Sequence, residues 1–228
     1  MRPVVRGAAP RIYTAYGQAI GDLEERLGMY CSYCERRLPT SLAVEHVVPK
    51  SVEPELETTW ENFLLGCTNC NSVKLARPTN KNDFLWPDID NTLVALSYSV
   101  GGFVEVNSGL TQELRRKARK LVDLIGLDRH GASGHPRPAP RDKRWQQRID
   151  AWDAAILART RLGELNDAPA AQELVLIAAE AYGFFSVWMT VFESHRAIRQ
   201  GLVERFKGTA RDCFDAAFRT KTRPAGRL

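Results

Sequence analysis

The chain has 228 residues, 44% hydrophobic and 26% charged, a balance that excludes an intrinsically disordered protein. A chain of this length forms one large or two small domains and folds without disulfide cross-links. The net charge of +5 is concentrated, because residues 115–148 contain eleven Lys or Arg against three acids and the rest of the chain sums to −3. Such a block is typical of a phosphate-binding face, and a solvated helix and loop is the alternative.

The first half of the chain is predicted to contain helices, a strand and a loop. The hydrophobic pattern indicates, in chain order, an amphipathic helix, an extended strand, a short helix and a loop at residues 12–27, 42–48, 69–75 and 78–87. Either Thr68 or Asn69 is expected to cap the short helix.

The second half is predicted to be mostly helical. Residues 93–99 and 103–106 form a hairpin around Gly101 and Gly102, and residues 111–127 form a basic amphipathic helix. Residues 131–140 are predicted to be a linker or an exposed loop, and the helical remainder is expected to break near 163–169 and Gly201. The apolar run 174–192 is interpreted as a buried helix because Glu180, Gly183 and Ser186 interrupt it. Residues 1–11 lack the apolar stretch of a signal peptide, so a soluble, cytoplasmic protein with no membrane partner is expected.

Four of the five cysteines form two Cys-x-x-Cys pairs, Cys31 with Cys34 and Cys67 with Cys70. Each pair can direct both sulfurs to one ion, and two pairs complete a tetrahedral Zn²⁺ shell. Since four thiolates leave no open coordination position, this zinc would be structural. A thioredoxin-like redox pair or two disulfides are the alternatives.

The segment between and after these pairs holds groups suited to phosphodiester hydrolysis. Glu45 and His46 are neighbours in the predicted strand and therefore point to opposite faces. Asn71 and Lys74 are three apart, so a helix places them on one face. Carboxylate and amide oxygens suit Mg²⁺ or Mn²⁺, an imidazole can accept a proton from water, and Lys50 or Lys74 can hold phosphate.

The order Cys-x-x-Cys, Glu-His, Asn, Cys-x-x-Cys-Asn-x-x-Lys over residues 31–74 resembles the zinc-containing HNH (ββα-metal) endonucleases. The resemblance implies that a β-hairpin and a helix surround a catalytic metal. It implies that His46 is the general base and that Asn62 orients the catalytic loop. Glu45 and Asn71 would be ligands of a catalytic Mg²⁺ or Mn²⁺, at positions where relatives more often have Asp and His.

Further short motifs are similar to the HNH effector subunits of Septu-type and retron-associated anti-phage systems. They are Tyr33-Cys34-Glu35, Glu45-His46 with Pro49-Lys50-Ser51, Trp60-Glu61-Asn62 and residues 124–129. That resemblance implies an ATPase partner subunit. The chain itself has no Gly-x-x-x-x-Gly-Lys-Ser/Thr loop, so any nucleotide would be bound by another protein.

The fold class expected is α+β, mostly α: a ββα-metal core with a four-cysteine zinc clip, then a β-hairpin and a helical C-terminal region. The expected segments are an N-terminal helix at 1–30, the zinc-clipped nuclease core at 31–90, the hairpin and basic helix at 91–130, and the C-terminal helices at 141–228.

The expected function is metal-dependent cleavage of DNA or RNA in a defence complex. His46, Asn62, Glu45 and Asn71 would be catalytic, and Lys50, Lys74, Arg115 and Arg116 would contact the substrate. Two non-catalytic alternatives remain: a zinc-ribbon nucleic-acid-binding module, and a subunit that recruits an ATPase and has a degenerate nuclease site.

Overall fold

The computed structural model describes residues 1–77 and 79–228. The fold is α+β and mostly α, which confirms the predicted class. The strands are β1 (Leu42–His46), β2 (Phe63–Cys67), β3 (Leu96–Ser99) and β4 (Phe103–Val106). The helices are α1 (Ile20–Leu27), α2 (Thr68–Lys74), α3 (Thr92–Ala95), α4 (Gln112–Ile125), α5 (Arg144–Glu164), α6 (Pro169–Tyr182), α7 (Phe185–Val191) and α8 (Arg196–Arg205).

The first hairpin and the helix after it form the ββα unit. β1 pairs antiparallel with β2, with Glu45 opposite Leu64, and α2 begins directly after β2. Every residue of β2 is buried. The expected cap at Thr68 or Asn69 was wrong, because the Cys67 sulfur accepts the Cys70 N–H at 3.4 Å and caps α2 one residue earlier.

The second hairpin is β3 paired with β4, and it turns through Gly101 and Gly102 at φ values of 83° and 70°. The hairpin was predicted, but its first strand was expected to begin at residue 93. Residues 92–95 instead form one helical turn, because the Asn91 side chain accepts the Leu93 N–H at 3.2 Å.

The basic helix α4 follows the second hairpin. Thr111 caps its N-terminus by accepting the Leu114 N–H at 3.4 Å, and Gly126 ends it in the left-handed conformation at φ 58°. Its buried stripe packs against α2 and β4, so the basic helix lies directly beside the ββα unit.

The four C-terminal helices pack on one another. The break predicted at 163–169 is confirmed, since α5 ends at Glu164 and α6 begins at Pro169. The break predicted at Gly201 was wrong: Gly201 lies inside α8, and a Cβ there would overlap the Leu176 side chain of α6. This glycine permits close approach of two helices and does not end one.

Three more predicted elements differ from the structure. The helix expected over 12–27 is α-helical only at Ile20–Leu27, and a short 3-10 turn at Tyr16–Ala19 precedes it. In the loop expected at 78–87, Lys81–Asp83 form a 3-10 turn, and residue 78 lies outside the described residues. The apolar run 174–192 is divided between α6 and α7 at Gly183, and no described helix is long and apolar enough to cross a membrane.

One apolar cluster runs through the described chain, from α1 and the first hairpin to the C-terminal helices, and it includes all four paired cysteines. The four-cysteine clip is therefore part of the protein core. The division into four segments stays a prediction.

Candidate functional site

The four paired cysteines meet in one buried cluster, with all their sulfurs within 4.8 Å of one another. The Cys31 and Cys70 sulfurs are 3.7 Å apart, as are those of Cys34 and Cys67. A tetrahedral shell with Zn–S bonds of about 2.3 Å requires sulfurs about 3.8 Å apart. A disulfide requires about 2.05 Å, so the cluster fits a zinc ion and not two cross-links.

Local structure positions the sulfurs. The first pair is tied to β2, because the Ser32 N–H donates to the Leu65 carbonyl at 2.8 Å. The Cys67 N–H donates to the Cys31 sulfur at 3.4 Å. Burial raises the pKa of the Cys31 and Cys70 thiols, so a cation is needed to hold these two as thiolates.

Arg144, at the start of α5, contacts this clip and was missed by sequence reasoning. Its Nη1 lies 3.2 Å from the Cys70 sulfur, and its guanidinium also binds Asp142 and the carbonyls of Ile125 and Gly126. Arg36 lies on another side, donating to Asn69 at 2.8 Å and to Gln147 of α5 at 3.1 Å. A Zn²⁺ ion with four thiolates would form a dianionic centre, and the nearby cations Arg144 and Arg36 would offset part of that charge.

Glu45 is buried at the end of β1 and paired with Lys74 of α2. The Lys74 ammonium lies 2.8 Å from Glu45 Oε1 and donates to the His46 carbonyl at 2.7 Å. Burial raises the pKa of Glu45, and Lys74 opposes that shift. Lys74 is 2% exposed, so its ammonium faces the protein interior. The contact between Lys74 and a substrate phosphate stays a prediction, and this burial does not favour it.

Asn71 projects from α2 toward the same side of the hairpin as Glu45. A Cβ at Gly66 would overlap Asn71 Oδ1 and lie 3.0 Å from the Glu45 Cβ, so the two side chains converge over that glycine. Asn71 Oδ1 is buried, and none of the described residues hydrogen-bonds to it. A buried amide oxygen without a donor, beside a carboxylate, suits a hard divalent cation.

His46 follows Glu45 and lies on the other face of β1, between Tyr16 and Phe63. Its Nε2 is 2.9 Å from the Glu57 carbonyl oxygen. Because a carbonyl only accepts, Nε2 carries the proton in the neutral imidazole, and Nδ1 then has the lone pair. Sequence reasoning missed Tyr16 and Glu57 as neighbours of His46, because neither residue belongs to a motif.

Asn62 is fully buried and holds the chain after β1. Its Oδ1 accepts the Val48 N–H at 2.8 Å, and its Nδ2 donates to the Val48 carbonyl at 2.9 Å. The Asn62 carbonyl also accepts the Val47 N–H at 2.9 Å. The residue therefore fixes the loop that begins directly after His46.

The basic block does not form one surface. Arg144 and Arg148 are buried inside the protein. On α4, several cations have acidic partners: Lys117 pairs with Glu113, Arg119 with Asp123 and Asp128, and Lys120 with Asp83. Among the described residues Arg115 and Arg116 are exposed and have no ion-pair partner. Lys50 is exposed, pairs with Glu57 at 2.8 Å and lies over the Tyr16 ring.

Two comparisons with known proteins concern this part of the chain. Residues 31–77, which span the clip and the ββα unit, match the family model of the HNH endonucleases. The Septu protein PtuB of Bacillus thuringiensis is 33% identical over 113 residues, covering 47% of this chain. The match spans 40% of that relative's length. The resemblance drawn from the motifs is thus confirmed for this part of the chain.

Proposed function

We propose that this protein is a divalent-cation-dependent HNH endonuclease that hydrolyses phosphodiester bonds of nucleic acid. The observation that carries the proposal is the convergence of the Glu45 and Asn71 side chains over Gly66, with Asn71 Oδ1 unpaired and His46 next along the strand. The match of residues 31–77 to the HNH endonuclease family supports it.

Glu45 and Asn71 would hold a Mg²⁺ or Mn²⁺ ion, and the four cysteines would hold a structural Zn²⁺. The catalytic cation supplies Lewis-acid polarisation of a phosphoryl oxygen and stabilises the leaving oxygen. Lys74 favours the ionised form of Glu45, and its ammonium also donates to the His46 carbonyl. In this role Lys74 positions the ligand and does not contact the substrate.

His46 acts as the general base through Nδ1. The Glu57 carbonyl fixes the tautomer by accepting the Nε2 proton, and the Tyr16 and Phe63 rings restrict the imidazole plane. Nδ1 can then take a proton from the attacking water. Asn62 keeps this geometry by holding the following loop at Val48.

Substrate phosphates would be bound by exposed cations around the ββα unit, for which Arg115, Arg116 and Lys50 are candidates. The two arginines lie on α4, which packs against α2. Cations on this helix are therefore close enough to the candidate metal ligands to contact the same nucleic acid.

The similarity to a Septu protein supports a place in bacterial anti-phage defence, with an ATPase as the partner subunit. A tagged chain is expected to co-purify with an ATPase encoded in the adjacent reading frame. Recovery of the tagged chain alone from cells expressing both frames would contradict the partner proposal.

The test of catalysis compares His46→Ala with the unchanged protein on plasmid, single-stranded DNA and transfer RNA. Cleavage should require Mg²⁺ or Mn²⁺ and fall by at least about 100-fold in the variant, because a general base is removed. His195→Ala, outside the site, is the matched control and should cleave normally. The variant should keep its zinc and its affinity for nucleic acid. Equal cleavage by His46→Ala would refute the assignment.

One observation favours a second candidate, a non-catalytic zinc module that binds nucleic acid or recruits an ATPase. The Lys74 ammonium lies 2.8 Å from Glu45 Oε1 and already neutralises the carboxylate. Under this candidate, no divalent cation would support cleavage, and His46→Ala would change nothing in the same assay.

A further inference from the structure

A cavity of about 390 Å³ opens between α7, the start of α8 and the segment that follows Asp215. None of the residues that line it belongs to the zinc clip or to the Glu45–Asn71 site. Its wall includes the apolar side chains of Leu93 and Met189 and the charged groups of Arg199 and Arg219.

Arg199 is the buried cation of this cavity and is only 7% exposed. Its Nη1 donates to the Glu193 carbonyl at 3.2 Å. Its Nε is buried, and no described residue accepts a hydrogen bond from it. Burial lowers the pKa of Arg199, as expected of a cation whose charge is incompletely compensated. Buried arginines in proteins are otherwise paired.

The N-terminus of α8 lies, along the chain, between two residues of the cavity wall, Ser194 and Arg199. The helix begins at Arg196, and His195 before it provides no side-chain cap. The first N–H groups of an uncapped helix lack acceptors and carry the positive end of its dipole, which attracts anions. Ser194, one residue earlier, lines the cavity and adds a hydroxyl group.

The acidic groups nearby compensate the charge of Arg199 only in part, since burial lowers its pKa by more than Asp215 and Glu193 raise it. The Asp215 carboxylate is occupied by Arg219 at 3.1 Å and by the N–H groups of Ala217 and Arg219. Glu193 also lines the cavity but its side chain is exposed to solvent. The Arg219 side chain is 73% exposed, so its guanidinium is accessible to a ligand from solvent.

We propose that this cavity is a binding site for the phosphate group of a small molecule, held by Arg199, Arg219, Ser194 and the N-terminus of α8. The cavity volume lies in the range of ligand pockets and exceeds what a bare anion fills. Leu93 and Met189 would contact the rest of a phosphate ester.

Binding is tested by titrating the full-length protein with inorganic phosphate, and separately with adenosine monophosphate, by calorimetry without added divalent cations. Chloride at matched ionic strength is the reference. Arg219→Gln and Arg199→Lys should each weaken binding at least about tenfold, because each loses donors to the anion. Arg219→Gln changes an exposed residue and therefore tests the site even if Arg199→Lys fails to fold. Arg211→Gln, exposed and outside the cavity, is the matched control and should bind normally.

One saturable site per chain that both variants weaken would support the proposal. Tighter binding of adenosine monophosphate than of phosphate would support an ester ligand, and equal binding would support free phosphate. No saturable binding by the unchanged protein, or equal binding by all variants, would overturn the proposal. The readout is binding, so loss of nuclease activity would not affect the result.

Discussion

At the scale of single residues, Lys74 combines two contacts that fix the end of β1. It neutralises Glu45 and donates to the His46 carbonyl, so Glu45 and His46 are both tied to α2 by one side chain. The sequence predicted that Lys74 and Asn71 share a helix face. It did not predict the inward direction of Lys74, because spacing along a helix does not show which long side chain finds a buried acid.

Replacing Lys74 by Met is expected to destabilise the protein by about 3–5 kcal/mol, because it leaves the Glu45 carboxylate buried without a cation. Combining it with Glu45→Gln should restore much of the lost free energy of unfolding, since no buried charge remains. Urea denaturation without added divalent cations measures both variants.

The matched control for that change is Lys50→Met. Lys50 and Glu57 form an exposed ion pair, so its loss should cost less than about 1 kcal/mol. A Lys74→Met variant no less stable than the Lys50→Met control would show that the buried pair does not hold the site together.

At the scale of elements, local patterns predicted the second hairpin, the basic helix and the break between α5 and α6, whereas the first hairpin was expected only from the family resemblance. The failures have identifiable causes. Gly201 was expected to end a helix but lies where α8 approaches Leu176, a tertiary contact that a local pattern does not record. The turn at Thr92–Ala95 arises from an Asn91 side-chain hydrogen bond that competes with a strand.

Arg144 connects α5 to the zinc clip through its contact with the Cys70 sulfur. Arg144→Gln should weaken zinc retention by about 10–100-fold, because it removes a charged donor from the Cys70 thiolate. Competition with a chromophoric chelator measures the effect. Lys143→Gln, exposed and adjacent, should release zinc like the unchanged protein, and an Arg144→Gln variant that did the same would contradict the role of this contact.

At the scale of the whole molecule, the clip lies inside one apolar cluster shared by the ββα unit and the C-terminal helices. The motifs predicted the cysteine cluster and the Glu45–Asn71 side of the hairpin, because their chemistry is encoded in short spacings. The charge count along the sequence predicted a larger basic surface than the structure has. Counting charges cannot separate exposed arginines from Arg144 and Arg148, which are buried as structural donors.

A nucleic-acid binding assay tests whether the exposed arginines of α4 contact phosphate. Changing Arg115 and Arg116 together to Gln should weaken binding to every sequence tested. It should also reduce the slope of log affinity against log salt by about 2, since each lost phosphate contact removes about 0.9. Fluorescence anisotropy across a salt series measures this. The same double change at Arg161 and Arg211, both exposed and away from α4, is the control and should leave the slope unaltered. An unaltered slope for the change at Arg115 and Arg116 would exclude those two arginines from the interface.

The central claim is that Glu45 and Asn71 hold a divalent cation. Electron paramagnetic resonance titration with Mn²⁺ of the zinc-loaded protein tests it most directly. The unchanged protein and His46→Ala should each bind one Mn²⁺, and the combined Glu45→Gln and Asn71→Ala variant should bind none at that site. Equal Mn²⁺ binding by the combined variant would contradict the claim.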